Sequence, residues 1–356
     1  MKKNILITGG AGFIGSRLAE AWSGDANVTI LDNLSPQVHA GNPENQQRVE
    51  ACGAKLIVGD VRDAAQMADA VRTAAPHLIY HLAAETGTGQ SFDLVARYND
   101  VNVMGTAHLI EAVRAHAPDC RRIVLAGSRS IYGEGACVDA QGRLTPAVER
   151  LDSDMKQGDF QPKDKNGAAL TPVATNSDCV PAPASIYAST KLMQEYLLAQ
   201  AFWGSPVEVG ILRLQNVYGP GQSLNNPYTG VLSIFCRQIL EGKTLAIYED
   251  GEITRDFVLV NDVVEAFRLM GTVDKAPAGV IDIGSGEAAT IRAVAQTLLT
   301  LLGQPADKFT VTGAYRPGDI RYALADITRA KDELGWAPQV TLDEGLAKLA
   351  AWSKTV

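Results

Sequence analysis

The sequence predicts an α/β fold in which a doubly wound parallel sheet is joined to a smaller C-terminal α/β domain. Short β-rich apolar runs alternate with longer segments of helical spacing through the first 216 residues. A glycine-rich turn joins the first such run to the first helical segment. Repetition of strand, helix and strand places parallel strands in one sheet, with helices on both faces.

The predicted elements follow one another in a regular order as far as residue 126. The predicted strands are 4–8, 28–32, 55–58, 77–82, 122–126 and 207–212. The predicted helices between them include 14–22, 64–74, 101–115 and 189–201. Residues of about 136–183 instead form an irregular, proline-containing insertion. Loops of this length are usually functional, but a surface elaboration without a role in chemistry remains open.

The composition changes again after residue 216. A helix at 231–240, strands at 245–248 and 255–260, a helix at 262–270 and further elements to 342–352 are predicted. We therefore divide the chain into a dinucleotide-type domain over 1–216 and a substrate domain over 217–356. We expect the chain to return to the first domain at about 256–276.

Composition and charge exclude several classes of protein. The chain carries 32 lysine and arginine residues against 40 aspartate and glutamate residues, a net charge of −8 without a basic patch, which argues against nucleic-acid and anionic-membrane partners. No run approaches the roughly 18 apolar residues of a membrane-spanning helix. The five cysteines are widely spaced and include no Cys-x-x-Cys pair, so we expect no metal site and a reducing, cytoplasmic setting.

The segment from Gly9 to Gly15 follows the first strand and opens the first helix. Glycine suits this place because the backbone must approach a pyrophosphate, and the helix amino terminus then offers free N–H groups. Asp32 ends the second strand, where a carboxylate can accept hydrogen bonds from ribose hydroxyls. No lysine or arginine follows over 33–36, which favours NAD over NADP. A turn-capping role for Asp32 is the alternative.

Further candidates for cofactor contact follow the third and fourth strands, at the edge where such sheets hold ligands. Turn formation by Asp60 and simple packing by the alanines are the alternatives. The cofactor-binding residues predicted at this point are Gly9, Gly12, Phe13, Ile14, Gly15, Asp32, Asn33, Asp60, Val61, Leu82, Ala83, Ala84, Tyr187 and Lys191.

Tyr187 and Lys191 open a predicted helix and share one face at i, i+4 spacing. A tyrosine with an ordinary pKa near 10 needs a nearby cation to act as a base, and Lys191 can supply it. This spacing is common by chance in helices. Ser128, directly after a strand of the same sheet, adds a hydroxyl that can bind the substrate oxygen whose proton Tyr187 removes.

At this point the chain resembles the extended short-chain dehydrogenase/reductases of the nucleotide-sugar epimerase and dehydratase group, with a Rossmann fold, over nearly its whole length. The resemblance rests on the motifs Gly9 to Gly15, Asp60-Val61, His81 to Ala84, Asn102, Ser128, Tyr187 with Lys191, Arg213 to Pro220, Arg255 to Val258, Arg316 to Asp319 and Leu334 to Pro338. It implies a catalytic triad of Ser128, Tyr187 and Lys191, a position for Asn102 beside triad and cofactor, and a nucleotide-sugar-binding domain over 217–356. It also implies a homodimer, in which the helices at 101–115 and 189–201 could form a four-helix interface.

The same resemblance assigns the substrate site. Arg255 and Arg316 would bind the diphosphate, because a guanidinium group matches phosphate oxygens with two parallel hydrogen bonds. Asp319 would bind the ribose or orient Arg316, and surface salt bridges are the alternative for the arginines. The predicted substrate-binding residues are Thr86, Ser128, Ser130, Asn216, Val231, Ala246, Tyr248, Arg255, Arg316 and Asp319.

The resemblance also narrows the reaction. Dehydratases of the group have Asp-Glu where this chain has Arg129 and Ser130, so dehydration is disfavoured and 4-epimerisation of a nucleoside-diphosphate hexose is expected. The run 225–231 and the long insertion resemble dTDP-L-rhamnose 4-epimerases, which make dTDP-6-deoxy-L-talose. A UDP-hexose or UDP-N-acetylhexosamine 4-epimerase, a decarboxylase and a 4-ketoreductase remain open. A non-catalytic dinucleotide-sensing scaffold would not need Ser128, Tyr187 and Lys191 together.

Overall fold

The computed structural model describes residues 2–39, 43–226, 228, 230–316 and 318–356. Pro227 and Thr229 of the run 225–231, and Pro317 of the motif 316–319, lie outside the described residues. The strands are β1 (Lys3–Thr8), β2 (Ala26–Asp32), β3 (Lys55–Val58), β4 (Leu78–His81), β5 (Arg122–Ser128), β6 (Cys137–Val138), β7 (Thr171–Pro172), β8 (Glu208–Leu214), β9 (Asn216–Tyr218), β10 (Leu245–Ile247), β11 (Thr254–Leu259), β12 (Val280–Ile283), β13 (Ala288–Thr290) and β14 (Phe309–Val311).

The helices lie between and after these strands and include those that the sequence predicts. They are α1 (Phe13–Trp22), α2 (Pro36–His39), α3 (Glu44–Ala51), α4 (Ala64–Ala74), α5 (Thr88–Asp93), α6 (Val95–Tyr98), α7 (Gly105–His116), α8 (Asp152–Met155), α9 (Ile186–Ala201), α10 (Val231–Leu240), α11 (Val260–Thr272), α12 (Ile291–Leu301), α13 (Thr328–Leu334) and α14 (Leu342–Ser353). Of these helices, α2, α3, α5, α6, α8 and α13 are not among the predicted ones. A π-helical segment, Asn99–Met104, precedes α7, and a short 3-10 helix, Arg129–Tyr132, follows β5.

The large sheet has seven parallel strands in the order β12-β8-β5-β4-β1-β2-β3. Strand order reverses between β1 and β4, and ligands of open α/β sheets bind in the crevice at such a switch point. The central parts of the strands are mainly apolar because helices cover both faces of the sheet. The predicted α/β, Rossmann-type fold is confirmed.

Each face of the large sheet has its own apolar core. One core includes Trp22 of α1, Phe267 of α11 and Trp336 after α13. The other joins α4, α7 and α9 through residues such as Met67, Leu109 and Leu198. The carboxyl ends of the strands therefore project from a rigid layer, which fixes the positions of the loops that follow them.

A third core, separate from these two, lies in the C-terminal part of the chain. It is built mainly from α10, α12, α14, β10 and β11. The chain returns to the large sheet over a longer stretch than the predicted 256–276, because β12 pairs with β8 at its edge and α11 packs under it. The residues of β12 do not alternate between buried and exposed positions, because most of them are buried. Their sequence pattern therefore does not show which sheet the strand joins.

The insertion is largely irregular, as predicted, but it is not detached from the fold. The short strands β6 and β7 pair antiparallel within it, and α8 is a single helical turn. Thr175 donates its backbone N–H to Leu324 and accepts from the N–H of Asp326, at 2.9 Å in each case. The insertion thus packs along the segment that leads into α13.

Candidate active site

A cavity of ≈ 1050 Å³ runs from the switch point of the large sheet into the C-terminal lobe. It is lined by residues from both parts of the chain, so a ligand here would contact both. The structure brings together at this cavity Gly9, Gly12, Phe13, Ile14, Gly15, Asp32, Asn33, Val61, Leu82, Ala83, Ala84, Thr86, Ser128, Ser130, Tyr187, Lys191, Asn216, Val231, Ala246, Tyr248, Arg255, Arg316 and Asp319. Of the residues that the sequence predicts, Asp60 and Asn102 are not among those lining it.

The glycine turn at one end of the cavity has no room for larger residues. Gly9 has φ +69°, and a Cβ there would lie 2.8 Å from the backbone nitrogen of Ala83. A Cβ on Gly15 would lie 2.5 Å from the carbonyl oxygen of Gly9. Among the residues that the structure describes, no side chain caps α1, which starts after Gly12. This close packing leaves the helix amino terminus open for a phosphate group, which fits a dinucleotide.

The carboxylate of Asp32 lies at the end of β2 and is buried. It accepts hydrogen bonds from the backbone N–H groups of Ala11, at 3.0 Å, and Leu34, at 2.9 Å. His39 Nε2 lies 3.4 Å from the same carboxylate. A carboxylate held in this way at the cavity wall fits the ribose of a dinucleotide and would repel a 2′-phosphate.

Asp60 lies next to this wall rather than on it. Its carboxylate accepts hydrogen bonds from Asn33 Nδ2 at 3.0 Å and from Arg62 Nη2 at 2.8 Å. The hydrogen bond from Arg62 is the main reason that the pKa of Asp60 falls to about 2. Asp60 therefore fixes Asn33, which does line the cavity. Arg62 was not predicted, although its position two residues after Asp60 is a local signal.

The reactive side chains meet in the middle of the cavity. Ser128 ends β5, and its hydroxyl lies 2.8 Å from that of Ser130. Burial raises the pKa of the Tyr187 phenol, and its hydrogen bond with Ser128 acts in the opposite direction. Ser185 caps α9 by accepting from the N–H of Ala188, which fixes the first turn that carries Tyr187. The structure therefore places the hydroxyls of Ser128 and Tyr187 beside each other in the cavity, close enough for Ser128 to influence the phenol.

Lys191 lies one turn further along α9 and is 4 % exposed. Burial lowers the pKa of its ammonium group to about 8, and the nearby carboxylate of Glu195 opposes this shift. Such a lysine still carries its charge at neutral pH, so it can favour a tyrosinate in its vicinity. This cation and the phenol are the pair that general-base chemistry at a sugar hydroxyl requires.

A buried polar chain, which sequence reasoning missed, holds Lys191. The ammonium group donates to Gln194, whose amide donates to Thr106 at 2.8 Å. Thr106 also bonds His81 Nε2 at 2.9 Å, and His81 Nδ1 contacts Thr8 at 2.7 Å. Burial lowers the pKa of His81 to about 3, so its imidazole is neutral. The residues are far apart in sequence, and only Gln194 at i+3 from Lys191 gives a local signal.

Asn102 lies behind the cavity wall and is buried. Its side chain accepts from the N–H of Glu85 at 2.8 Å and donates to the hydroxyl of Thr190 at 2.9 Å. These bonds join the loop after β4, which carries Thr86, to α9, which carries Tyr187. The structure therefore places Asn102 behind the lining residues, where it holds α9 and the loop that carries Thr86.

Basic side chains line the far end of the cavity. Arg255, on β11, donates to the carbonyl oxygens of Thr254 and Ile320, at 2.9 Å each. Arg316 covers the ring of Tyr248 at 4.7 Å and donates to its hydroxyl at 3.1 Å. Asp319 lies 3.9 Å from Arg255. Two guanidinium groups beside a flat aromatic ring fit a diphosphate and a base.

Arg129 adds a third cation to this end of the cavity. It follows Ser128 directly, is buried, and donates to the carbonyl oxygen of Gly133 at 3.0 Å. Burial, together with the nearby charge of Arg255, lowers the pKa of Arg129 to about 10. Neither of the two residues after Ser128 is a carboxylate, so neither can supply the acid and base of a dehydration.

Within the described residues, neither a metal-binding cluster nor a membrane-spanning helix is present. All five cysteines are free thiols, and no group of three or more histidine, cysteine, aspartate or glutamate side chains within the described ranges could hold a metal ion. No helix within those same ranges is long and apolar enough to cross a membrane.

Fold and site together define a dinucleotide-binding enzyme of the short-chain dehydrogenase/reductase type. The family model described as GDP-mannose 4,6 dehydratase matches residues 6–147 and 169–349, and the chain belongs to this family. The predicted membership of the extended short-chain dehydrogenase/reductases is confirmed.

Individual relatives are similar over almost the full chain. The dTDP-L-rhamnose 4-epimerase of Burkholderia thailandensis is 40% identical over 356 residues, covering 98% of this chain and 94% of the relative. The UDP-glucose 4-epimerase of Mycolicibacterium smegmatis is 32% identical, with 96% of each chain covered. The structure of UDP-glucuronic acid 4-epimerase from Bacillus cereus, with UDP-glucuronic acid and NAD, is 27% identical with a TM-score of 0.80, and covers 100% of this chain and 99% of that one.

Proposed function

We propose that the protein is an NAD-dependent 4-epimerase of a nucleoside-diphosphate hexose, and that its substrate is dTDP-L-rhamnose, converted to dTDP-6-deoxy-L-talose. The observation that supports this best is the order of groups along one cavity. A dinucleotide cradle at Gly9–Gly15 is followed by Ser128, Tyr187 and Lys191, and then by Arg255 and Arg316. An enzyme that oxidises a sugar attached to a diphosphate needs these groups in that order.

The cofactor is NAD. The close packing of Gly9 and Gly15 leaves space for a pyrophosphate, and Asp32 supplies the carboxylate for the ribose. When bound, NAD accepts the hydride from C4 of the sugar and returns it. The residues that would hold the cofactor are those that line the cavity around Gly9–Gly15. Behind them, Asp60 holds Asn33, and Asn102 holds the loop that leads to Thr86.

Tyr187 is the base that takes the proton of the C4 hydroxyl group, while Ser128 holds the oxygen of that group. Lys191 stabilises the tyrosinate through its charge, and Gln194 keeps the ammonium group in place. Arg255 and Arg316 hold the diphosphate. After the 4-keto sugar rotates in the site, Tyr187 would return the proton to the C4 oxygen as the hydride returns to the opposite face of C4, which inverts the configuration there.

The choice of dTDP-L-rhamnose is supported by the relative from Burkholderia thailandensis, which is 40% identical, against 32% for the UDP-glucose 4-epimerase. Dehydration is not proposed, because Arg129 and Ser130 follow Ser128. A UDP-hexose or UDP-uronate 4-epimerase is the second candidate. The similarity in structure to the UDP-glucuronic acid 4-epimerase, with three arginines at the far end of this cavity, favours it.

The experiment is proton NMR of the purified protein, without added NAD, in separate incubations with dTDP-L-rhamnose, UDP-glucose and UDP-glucuronic acid. New anomeric and H4 signals of the talo sugar in the first incubation alone support the proposal. New signals only with a UDP sugar support the second candidate. No change with any sugar, also after NAD is added, would reject 4-epimerisation of these substrates.

A further inference from the structure

The insertion reaches the part of the C-terminal lobe that carries the proposed diphosphate ligands. We call Tyr315, Arg316 and residues 318–321 the phosphate segment. The hydroxyl of Tyr315 donates to Asp152 of the insertion at 2.5 Å, and the ring of Phe160 lies 6.5 Å from that of Tyr315. The insertion therefore covers the outer side of the phosphate segment.

Arg150 makes the most buried of these contacts. Its side chain is 4 % exposed, and Nη2 donates to the carbonyl oxygen of Asp319 at 2.7 Å. Nη1 lies 2.8 Å from Glu249 Oε1, and Nε lies 2.8 Å from Glu134 Oε1. One guanidinium group thus joins the insertion to two buried carboxylates and to the backbone of the phosphate segment.

The same carboxylates hold the end of the phosphate segment. Glu134 accepts from the backbone N–H of Arg321 at 2.7 Å, and Glu249 accepts from the Arg321 side chain at 2.9 Å. Arg255 donates to the next carbonyl group, that of Ile320, at 2.9 Å. The successive carbonyls of Asp319 and Ile320 are therefore bound by one arginine from the insertion and one from β11.

We propose that Arg150 is a positioning residue for nucleoside-diphosphate binding, through which the insertion holds the phosphate segment in its binding conformation before substrate arrives. This inference rests on the proposed function, which assigns the diphosphate to Arg255 and Arg316. Preorganisation of a binding segment increases affinity because the ordering cost is met on folding. Arginine is needed at this place because two nitrogens of its planar group donate separately, one to Glu249 and one to the Asp319 carbonyl, while its charge pairs with Glu134. The compact ammonium group of lysine cannot span these separated acceptors.

Arg150 is separable from the anchoring of the insertion as a whole. Thr175 holds the insertion to Leu324 and Asp326 through backbone hydrogen bonds, and Asn176 donates to Asp326 at 3.2 Å. These contacts do not involve Arg150. A substitution of Arg150 is therefore expected to loosen the phosphate segment while the insertion stays attached.

The test compares Arg150→Lys with Arg143→Lys in the full-length enzyme loaded with NAD. Arg143 is a matched control because it is also in the insertion, has a side chain that is 74% exposed, and pairs with Asp139. Titration calorimetry with dTDP and with UDP measures the Kd. We expect Arg150→Lys to raise the Kd of the nucleotide that the wild type binds at least tenfold, and Arg143→Lys to change it less than twofold.

A second readout separates positioning from general damage. The substrate KM of Arg150→Lys should rise in parallel with the Kd, while kcat and the Kd of NAD change less than threefold. An unchanged nucleotide Kd in both Arg150→Lys and Arg150→Met, or a fall in kcat at unchanged KM, would overturn the inference alone. If Arg150→Met does not fold, Arg150→Lys decides, because it keeps a positive charge beside the buried carboxylates. A wild type that binds neither dTDP nor UDP would overturn both the inference and the proposed function.

Discussion

The proposed chemistry requires Lys191 to keep its positive charge although its side chain is buried. Lys191 is buried, yet its ammonium group finds an acceptor in Gln194 and a nearby negative charge in Glu195. A buried cation without such partners would lose its proton. Because Glu195 is itself bound by Arg213, at 3.0 Å, its position is fixed from the sheet side. The charge of Lys191 is thus maintained by residues that do not line the cavity.

Replacing the phenol of the proposed base tests this arrangement. Tyr187→Phe should lower kcat on the sugar that the NMR incubations identify as substrate by about 10²- to 10⁴-fold, the usual contribution of a positioned acid–base group, and leave the Kd of NAD within threefold. Tyr196→Phe is the matched control, since it lies on the same helix and is 47% exposed. An unaltered rate in Tyr187→Phe would remove the tyrosine from the mechanism.

His81 gives a prediction about stability against pH. Its pKa is lowered to about 3 by burial, whereas in the unfolded chain it has an ordinary value near 6.5. Between these pH values the unfolded chain binds a proton that the folded protein does not, so the free energy of unfolding decreases as the pH falls. From pH 7 to pH 5 this group should cost about 2 kcal/mol.

The measurement is urea unfolding of wild type and His81→Gln at both pH values. The variant should be less stable at pH 7, because the bonds to Thr8 and Thr106 are altered, and should lose about 2 kcal/mol less than wild type on acidification. Equal losses in the two proteins would contradict this prediction, because they would mean that His81 takes up its proton with the same pKa in the folded protein as in the unfolded chain.

At the scale of single elements, the turn from β1 into α1 is the most constrained. A Cβ on Gly15 would lie 2.5 Å from the carbonyl oxygen of Gly9 and 2.6 Å from Gly10 Cα, both backbone atoms. Gly15→Ala should therefore displace the turn, weaken NAD binding at least tenfold, and lower stability by about 1–3 kcal/mol. Gly24→Ala, just after the same helix, is the control, because no heavy atom within the described residues lies within 4 Å of its added Cβ.

The result is checked by NAD titration and by thermal unfolding of the two variants. Full NAD affinity in Gly15→Ala would show that the turn can move without losing its ligand, which would contradict the fit between this turn and the pyrophosphate.

What the sequence predicts well are features that lie within one or two elements. The turn at 9–15, Asp32 at the end of β2, and Tyr187 with Lys191 on α9 all depend on residues close in sequence, and the structure places them along one cavity. Arg150 gives no such signal, because it is a single arginine in an irregular segment. Its partners Glu134, Glu249 and Asp319 are 16, 99 and 169 residues away in sequence, and only the tertiary fold brings them near. The placement of β12 in the large sheet likewise depends on pairing with β8.

At the scale of the whole molecule, the cavity lies between the sheet and the C-terminal lobe, so neither part alone would form the complete proposed site. The sheet supplies Ser128 and α9 supplies Tyr187, while β11 and the phosphate segment supply Arg255 and Arg316. The insertion joins these parts from outside. Substrate binding is therefore expected to stabilise both lobes together against unfolding.

We propose that the protein forms a homodimer through the exposed surface of α7 and α9. The helices α7 and α9 contact each other, and Met193 and Tyr196 of α9 are 44% and 47% exposed. Light scattering after gel filtration should give a mass of two chains. The double variant Met193→Glu and Tyr196→Glu should shift this mass towards one chain, whereas Val180→Glu, an equally apolar exposed site in the insertion, should not. A wild-type mass of one chain would contradict the dimer.

The proposed reaction removes and restores the same hydrogen at C4, and this can be followed with a label. dTDP-L-rhamnose carrying deuterium at C4 is incubated in ordinary water with the purified enzyme, and both epimers are examined by NMR and mass spectrometry. We predict that the talo product appears and that deuterium stays at C4 in both sugars, because Tyr187 exchanges only the hydroxyl proton. Formation of the epimer with loss of deuterium to water would contradict hydride return within the enzyme. Absence of the epimer, with NAD bound, would contradict the proposed substrate.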